Sequence, residues 1–216
     1  MKRSKVIAGK GKISETVSSR IKNPKLVREK HLHIAKKASK LFIKKGYHRT
    51  TMREISKATG MAIGNLYDYI SKKEDVLCLT FDVYHQFVQE SLDAKQAFKT
   101  DDPKELLRSF IRNSSQNVET FKDEIILMYR ESRLLPKKNL KKAMKIEMEQ
   151  IQALEKIIRL GVDQGVFRAQ EPFFAASMIF YQLNFLIFRG WTLSGKYSDK
   201  EATDLLEEYI VNRVTA

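Results

Sequence analysis

Large apolar residues recur along this chain at spacings of three and four, the pattern of helices with one buried face. In residues 27–45, Ile34, Ala38, Leu41 and Phe42 share one face and lysine pairs fill the other. Gly46 stops that helix just after Lys44 and Lys45, cations that suit its carbonyl end. Thr51-Met52-Arg53-Glu54 has the spacing of a capping box and predicts a short helix that Gly60 ends. A second short helix is expected from about Ala62 to Ile70. Ser71-Lys72-Lys73-Glu74 reads as another capping box, opening a long helix toward Gln96. Two short helices joined by a tight turn with a glycine, set between longer helices, form a helix-turn-helix pattern.

The helical pattern continues downstream. Asp101-Asp102-Pro103 predicts an N-cap with proline at the first helical position, and a helix to about Asn117. Another follows over about 121–133, and Pro136 breaks it. Leu140, Ala143, Met144, Ile151, Leu154, Ile157 and Ile158 predict a long amphipathic helix ending near Gly161. Pro172 opens a strongly apolar helix, Phe173 to Phe188, before Gly190 and Gly195. Ser198-Asp199-Lys200-Glu201 caps a last helix carrying Leu205, Leu206, Tyr209 and Ile210. No run alternates with period two, so the expected fold is all-α. Residues 173–188 contain Gln182 and Asn184 and fall short of the about 20 residues a membrane span needs. A buried core or a subunit interface is expected there instead, with no membrane partner.

Charge changes the picture most. The 216 residues are 43% apolar and 31% charged, enough for one compact domain or two small ones, and carry a net +14. The first 75 residues hold 20 basic and 6 acidic side chains, and the other 141 are balanced at 20 and 20. A basic end on a neutral body points to a polyanion-binding module joined to a second functional unit, with nucleic acid, here double-stranded DNA, the first expectation and an acidic membrane surface the next. The expected divisions are a flexible basic arm over 1–27, a DNA-binding domain over 28–75 and a helical body over 76–216. The arm lacks the apolar stretch of a signal peptide, so a cytoplasmic location is expected. It either touches DNA or is dispensable.

The remaining composition mostly excludes. Cys78 is the single cysteine, so there is no disulfide scaffold, and His31, His33, His48 and His85 with it form no metal spacing. No glycine-rich phosphate loop and no nucleophile–base–acid set is visible, so neither a cofactor, a metal nor a catalytic residue is expected.

In a helix-turn-helix unit the second short helix enters the major groove. Here it is expected to expose Ala62, Ile63, Asn65, Asp68 and Tyr69, with Leu66 and Ile70 inward. Asn65 can bond a base edge, Ile63 can pack on a thymine methyl, and Gly64 permits close approach. Tyr67 can donate its hydroxyl to a phosphate. Tyr67 and Tyr69 can instead be core aromatics. Asp68 either accepts from a cytosine amino group or caps locally. Thr50, Thr51 and Arg53 begin the preceding helix, where free backbone N–H groups suit a phosphate, and Lys73 is placed to hold the backbone.

Residues 41–77, with Gly46-Tyr47, Thr50-Thr51, Ile55, Gly60-Met61, Leu66-Tyr67-Asp68-Tyr69 and Lys73-Glu74, resemble the DNA-binding region of TetR-type transcriptional repressors. Asn65 and Ile70 depart from the residues usual there. The resemblance implies an N-terminal helix-turn-helix three-helix domain followed by a helical ligand-binding and dimerisation bundle. It implies a homodimer on a palindromic operator, released by an effector, with DNA contacts at Thr51, Ala62, Ile63, Asn65, Tyr67, Tyr69 and Lys73. A DNA-binding structural or adaptor protein without ligand control is the alternative.

The body offers candidates for the other two roles. Phe173, Phe180, Phe188 and Trp191 exceed what a solvated face carries and are the expected dimer interface. Tyr84, Phe87, Phe110, Phe121, Met128, Tyr129, Met144 and Met148 are aromatic and soft groups that either line an effector cavity or form ordinary core. Arg130, Arg133, Lys137, Lys138, Lys141 and Lys142 surround Pro136. They either meet an anionic ligand head, such as a coenzyme A phosphate, or are a solvated face. The implied effector is a small hydrophobic molecule or an acyl-thioester.

Overall fold

A computed structural model describes residues 17–95 and 100–215, with no account of the side chains of 86–95. Most of the basic arm, residues 1–16, and the Phe87 side chain therefore lie outside the described residues. The helices are α1 (Pro24–Lys45), α2 (Met52–Thr59), α3 (Ile63–Tyr69), α4 (Lys73–Lys95), α5 (Pro103–Thr120), α6 (Lys122–Glu131), α7 (Lys137–Asp163), α8 (Pro172–Arg189) and α9 (Asp199–Val214). The fold is all-α, as the periodicity predicts. The β-pairing among the described residues is one isolated bridge between Phe167 and Thr215.

The chain forms two compact units. The first comprises Met1–Ser91 with Asp123–Met144, and the second Leu92–Lys122 with Lys145–Ala216. This partition does not follow a single cut near residue 75, because α6 and the start of α7 belong with the helix-turn-helix.

In the first unit, Ile34, Ala38 and Phe42 of α1 are buried with Ile55, Leu66, Ile70, Leu77, Phe81 and Leu127. Asn23 caps the start of α1 by accepting from the Leu26 N–H, and Pro24 occupies the first turn. The helix thus begins inside the stretch expected to be a flexible arm, and Val17 before it is buried in the core. At the other end Gly46 takes a positive φ of 89°.

In the second unit, Leu107, Phe110 and Ile111 of α5 pack with Leu154 and Ile158 of α7, Leu183 of α8 and Ile210 of α9. Glu207 of α9 is buried, and Arg108 and Arg112 of α5 donate to it at 2.9 Å. Those bonds compensate for taking a carboxylate out of water. The ring of Phe167 lies where a side chain on Gly161 would have to go, so only glycine lets the chain turn back against α7 here.

Candidate nucleic-acid interface

The helix-turn-helix is built from hydrogen bonds that close on themselves. Thr51 caps α2 and Glu54 returns the bond, making the expected capping box. The Thr51 N–H donates to Glu54 at 2.8 Å, and Lys45 forms an ion pair with the same carboxylate. Those donors hold the Glu54 carboxyl down at about 2, the Lys45 bond contributing most. Gly60 ends α2 in the left-handed region, at φ 69°. Ser56 Oγ then donates to the Met61 carbonyl at 2.6 Å, fastening the turn into α3.

Two histidines on α1 hold the far ends of both short helices. His33 Nε2–H donates to the Thr59 carbonyl and His31 Nε2–H to the Tyr69 carbonyl, each at 2.8 Å. Burial lowers the pKa of His31, and the Tyr69 bond opposes that shift. Helix C-terminal carbonyls lack intrahelical partners, so these bonds answer a general need. Spacing gave no signal for either histidine, since the role depends on where other helices end.

The structure redistributes the expected DNA-contact residues. Ala62, Ile63, Gly64 and Asn65 are exposed at the start of α3, with Tyr67 exposed one turn on, while Leu66 is buried. Tyr69 is corrected: it is only 4% exposed and packs in the core with Leu66. The two are three residues apart, hence on one helix face. Thr50 is also buried, its hydroxyl donating to the Gly46 carbonyl at 2.8 Å. Its N–H goes to Tyr47, so neither Thr50 nor Thr51 offers the free backbone N–H expected of it. Arg53 is exposed at the first turn of α2.

Lys73 is not a free cation. Its Nζ donates to the carbonyls of Tyr47, His48 and Thr50 at 3.0–3.2 Å and sits 4.4 Å from the Tyr47 ring centroid. It holds the turn before α2 in shape. The expected Ser71 capping box is likewise replaced: α4 starts at Lys73, and Asp75 accepts from the N–H groups of Ser71 and Lys72.

A second polar group lies behind this module. Asp82 is buried and Lys142 donates to it at 2.8 Å. His85 is buried too, and its Nδ1 has no partner among the described residues. Burial, and secondarily the Lys142 ammonium, pushes its imidazole down to about 4. Arg130, Arg133, Lys137, Lys138, Lys141 and Lys142 are all exposed, and Lys142 also reaches the buried Asp82.

The effector candidates divide. Tyr84, Met128, Tyr129 and Met144 belong to the first unit, and Phe110, Phe121 and Met148 to the second. Phe110 and Phe121 are buried, whereas Tyr129, Met144 and Met148 are exposed. An open depression of about 950 Å³ in the second unit is lined by others, including Phe174, Met178, Gln182, Tyr209 and Arg213.

Of the four expected interface residues, Phe173 and Trp191 are exposed, and Phe180 and Phe188 are half-buried. Phe180 packs against the core. The apolar strip that faces outward is Phe174, Met178, Tyr181 and Phe185, joined by Tyr209 of α9. An α8 that is apolar on every side hides which face points out. Pro172–Thr192 is long and apolar enough to cross a membrane by length and composition, with mean hydropathy 1.2 and 28% of that window buried. It exceeds the 16 residues read from the sequence because the chain stays helical through the turn at Gly190–Thr192. Its neighbours in the second unit are α5 and α9.

No group of three or more His, Cys, Asp or Glu that could hold a metal ion occurs among the described residues. Residues 34–77 match the family model described as bacterial regulatory proteins, tetR family. Residues 100–214 match a tetracyclin repressor-like C-terminal domain. The HTH-type transcriptional regulator HbdR of Aromatoleum sp. (strain CIB) is 30% identical over 126 residues, which are 56% of this chain and 53% of HbdR. The chain spans about half the length of the curated relatives it matches. Among solved structures, the TetR family regulator PfmR from Thermus thermophilus is 26% identical with a TM-score of 0.72, covering 83% of this chain and 97% of PfmR. AibR, in complex with isovaleryl coenzyme A and operator DNA, shares the fold at 22% identity and a TM-score of 0.70, covering 83% and 96%.

Proposed function

The chain belongs to the TetR family of bacterial regulatory proteins, and on that footing we propose that it is a cytoplasmic, homodimeric transcriptional repressor gripping a palindromic operator through two copies of α3. The observation that carries this reading is the exposed start of α3, Ala62–Asn65 with Tyr67, mounted on a basic unit. Asn65 reads a base edge and Ile63 packs on a thymine methyl. Tyr67 and Arg53 meet the sugar-phosphate backbone. Thr50, Tyr69 and Lys73 position this surface from behind.

One α3 reads only a few base pairs, so a second copy is required for selectivity. The outward apolar strip of α8 and α9 supports pairing between copies, because an isolated chain seldom leaves such a patch in water. The same pairing accounts for an apolar α8 without a membrane.

The effector is a small hydrophobic molecule or an acyl-thioester. The soft side chains Met128, Tyr129 and Met144 of the first unit support this class, as does the isovaleryl coenzyme A bound by AibR. Release requires that the effector bind the DNA-incompetent state better than the DNA-bound one. The test selects binding sites from a random duplex pool and then footprints the winner. One protected palindrome, released by a compound from a panel of acyl-thioesters and hydrophobic molecules, is the expected result. Uniform coating of DNA would point to a structural DNA-binding protein instead.

A further inference from the structure

Base reading by α3 depends on the direction of that helix, and little of the direction is set by α3 itself. The helix has seven residues, about 10 Å of length, and its start makes no side-chain cap bond. So short a helix is marginal alone, and outside contacts decide how it lies. Leu66 and Tyr69 fix the face that turns inward. The far end is held by hydrogen bonds. Ser19 Oγ donates to the Asp68 carbonyl at 3.0 Å, and the Arg20 N–H donates to the same oxygen at 2.8 Å. His31 Nε2–H donates to the next carbonyl, that of Tyr69, at 2.8 Å. These are carbonyls of a helix end, which lack intrahelical partners.

The three donors come from two separate elements. His31 is buried on α1. Ser19 and Arg20 lie in a short strap ahead of α1, pinned by Val17 in the core of the first unit and by Ile21 packed against it. The Ile21 N–H donates to Ser19 Oγ at 3.1 Å, which fixes the bend of the strap. Arg20 is exposed and takes part through its backbone.

A rod held at one end magnifies a tilt at the other. Ile63 and Asn65, the candidate base contacts, sit at the start of α3, away from these three bonds. A tilt of about 10° about the held end would carry that start through about 2 Å. A hydrogen bond to a base edge needs its groups placed within about 0.5 Å. The attraction of a cation to phosphates falls off far more gently with distance.

We propose that Ser19, the Arg20 N–H and His31 are positioning groups for base reading: together they aim α3, and so set how well the protein tells its site from other DNA without touching DNA themselves. This rests on the operator-binding reading above. It separates discrimination from grip, because none of the three groups supplies a phosphate contact.

The experiment measures, by fluorescence anisotropy on the full chain over a salt series, the ratio of affinities for the selected palindrome and for a scrambled duplex. S19A with R20P removes both bonds to Asp68, and H31L removes the bond to Tyr69. Each is expected to lower the ratio at least about tenfold, the worth of one or two well-made base contacts. Affinity for the scrambled duplex and the salt slope are expected to stay as in the parent chain. Two conservative variants mark the atoms. R20A keeps the N–H and H31Q keeps a donor of similar reach, and both are expected to keep most of the ratio. The single variants S19A and R20P leave one bond each and are expected to fall between, so the answer does not depend on the double variant folding. Thermal unfolding followed by circular dichroism sets a temperature at which the compared variants are folded, where a general loss of stability leaves the ratio alone. If the ratio survives in the folded variants, or if R20A loses as much as R20P, the positioning proposal is overturned and the repressor reading stands. A parent chain that selects no sequence overturns both.

Discussion

The two compact units present opposite surfaces to their surroundings. The first holds 26 Lys and Arg against 11 Asp and Glu, the second 14 against 15. In the first, polar and cationic groups surround a small exposed patch at the start of α3. In the second, Phe174, Trp191 and Tyr209 are 66%, 73% and 58% exposed on a nearly neutral body. A surface rich in cations gains from releasing counterions when it meets a polyanion, and that gain shrinks with salt. An apolar surface gains by leaving water, which salt barely alters. The molecule thus offers two kinds of adhesion that a change of ionic strength can separate.

The largest effect should come from breaking the apolar side. Phe174→Glu together with Tyr181→Glu places two charges on the outward strip of α8. Dimer dissociation, followed by analytical ultracentrifugation, should rise at least ~100-fold. Operator affinity should fall with it while circular dichroism stays helical. A dimer that survives both substitutions would move the interface elsewhere.

The next test sharpens the contrast inside the units. Among the described residues the first unit buries His31, Asp82, His85, Glu131 and Asn139, whereas the second buries Asn184 and Glu207. Burial holds the His85 imidazole at about 4 in the folded chain, against 6.5 when free. A depressed histidine leaves the fold fully stable above pH 6.5. Stability is then lost as pH falls from 6.5 toward 4, by up to about 3 kcal/mol, because only the unfolded chain takes the proton. Urea unfolding across that window should show the loss, and His85→Leu should flatten it.

Lys73→Met comes third. Its three carbonyl bonds make it a brace for residues 46–50, so the unfolding free energy should drop by about 1–2 kcal/mol without DNA present. A variant that keeps its stability and loses only one phosphate's worth of salt slope would show that Lys73 leaves the turn and meets DNA. The smallest effect is the most specific. Asn65→Ala should leave folding unchanged and relax discrimination at one operator position by about 1 kcal/mol, read from competition between single-base variants.

Much of the architecture was legible because its signals are local. Thr51 with Glu54, Ser198 with Glu201, and Pro103 after Asp102 each place a helix start by contacts within four residues. The misreadings arise where a nearby side chain competes for the same role or where distant chain decides it. Ser71 looks like a cap, but α4 starts two residues later and Asp75 takes the work. Tyr69 looks exposed until a seven-residue α3 turns it inward beside Leu66. Lys73 looks free until three carbonyls from a turn more than twenty residues earlier surround it. In α8 the apolar residues cover every face, so no periodicity distinguishes Phe180 from Tyr181.

The exposed start of α3 has a consequence for how such a protein can change over generations. Ala62 makes no side-chain cap bond, and Ile63, Gly64 and Asn65 lie outside the packed interior. The helix is instead secured from behind by Leu66, by His31 and by the chain ahead of α1. If α3 reads bases as proposed, foldability and base preference are written on different residues. Substitutions at 62–65 would then retarget the protein to a new site with little risk to the scaffold, so a duplicated copy would acquire its own genes to control within a few mutational steps.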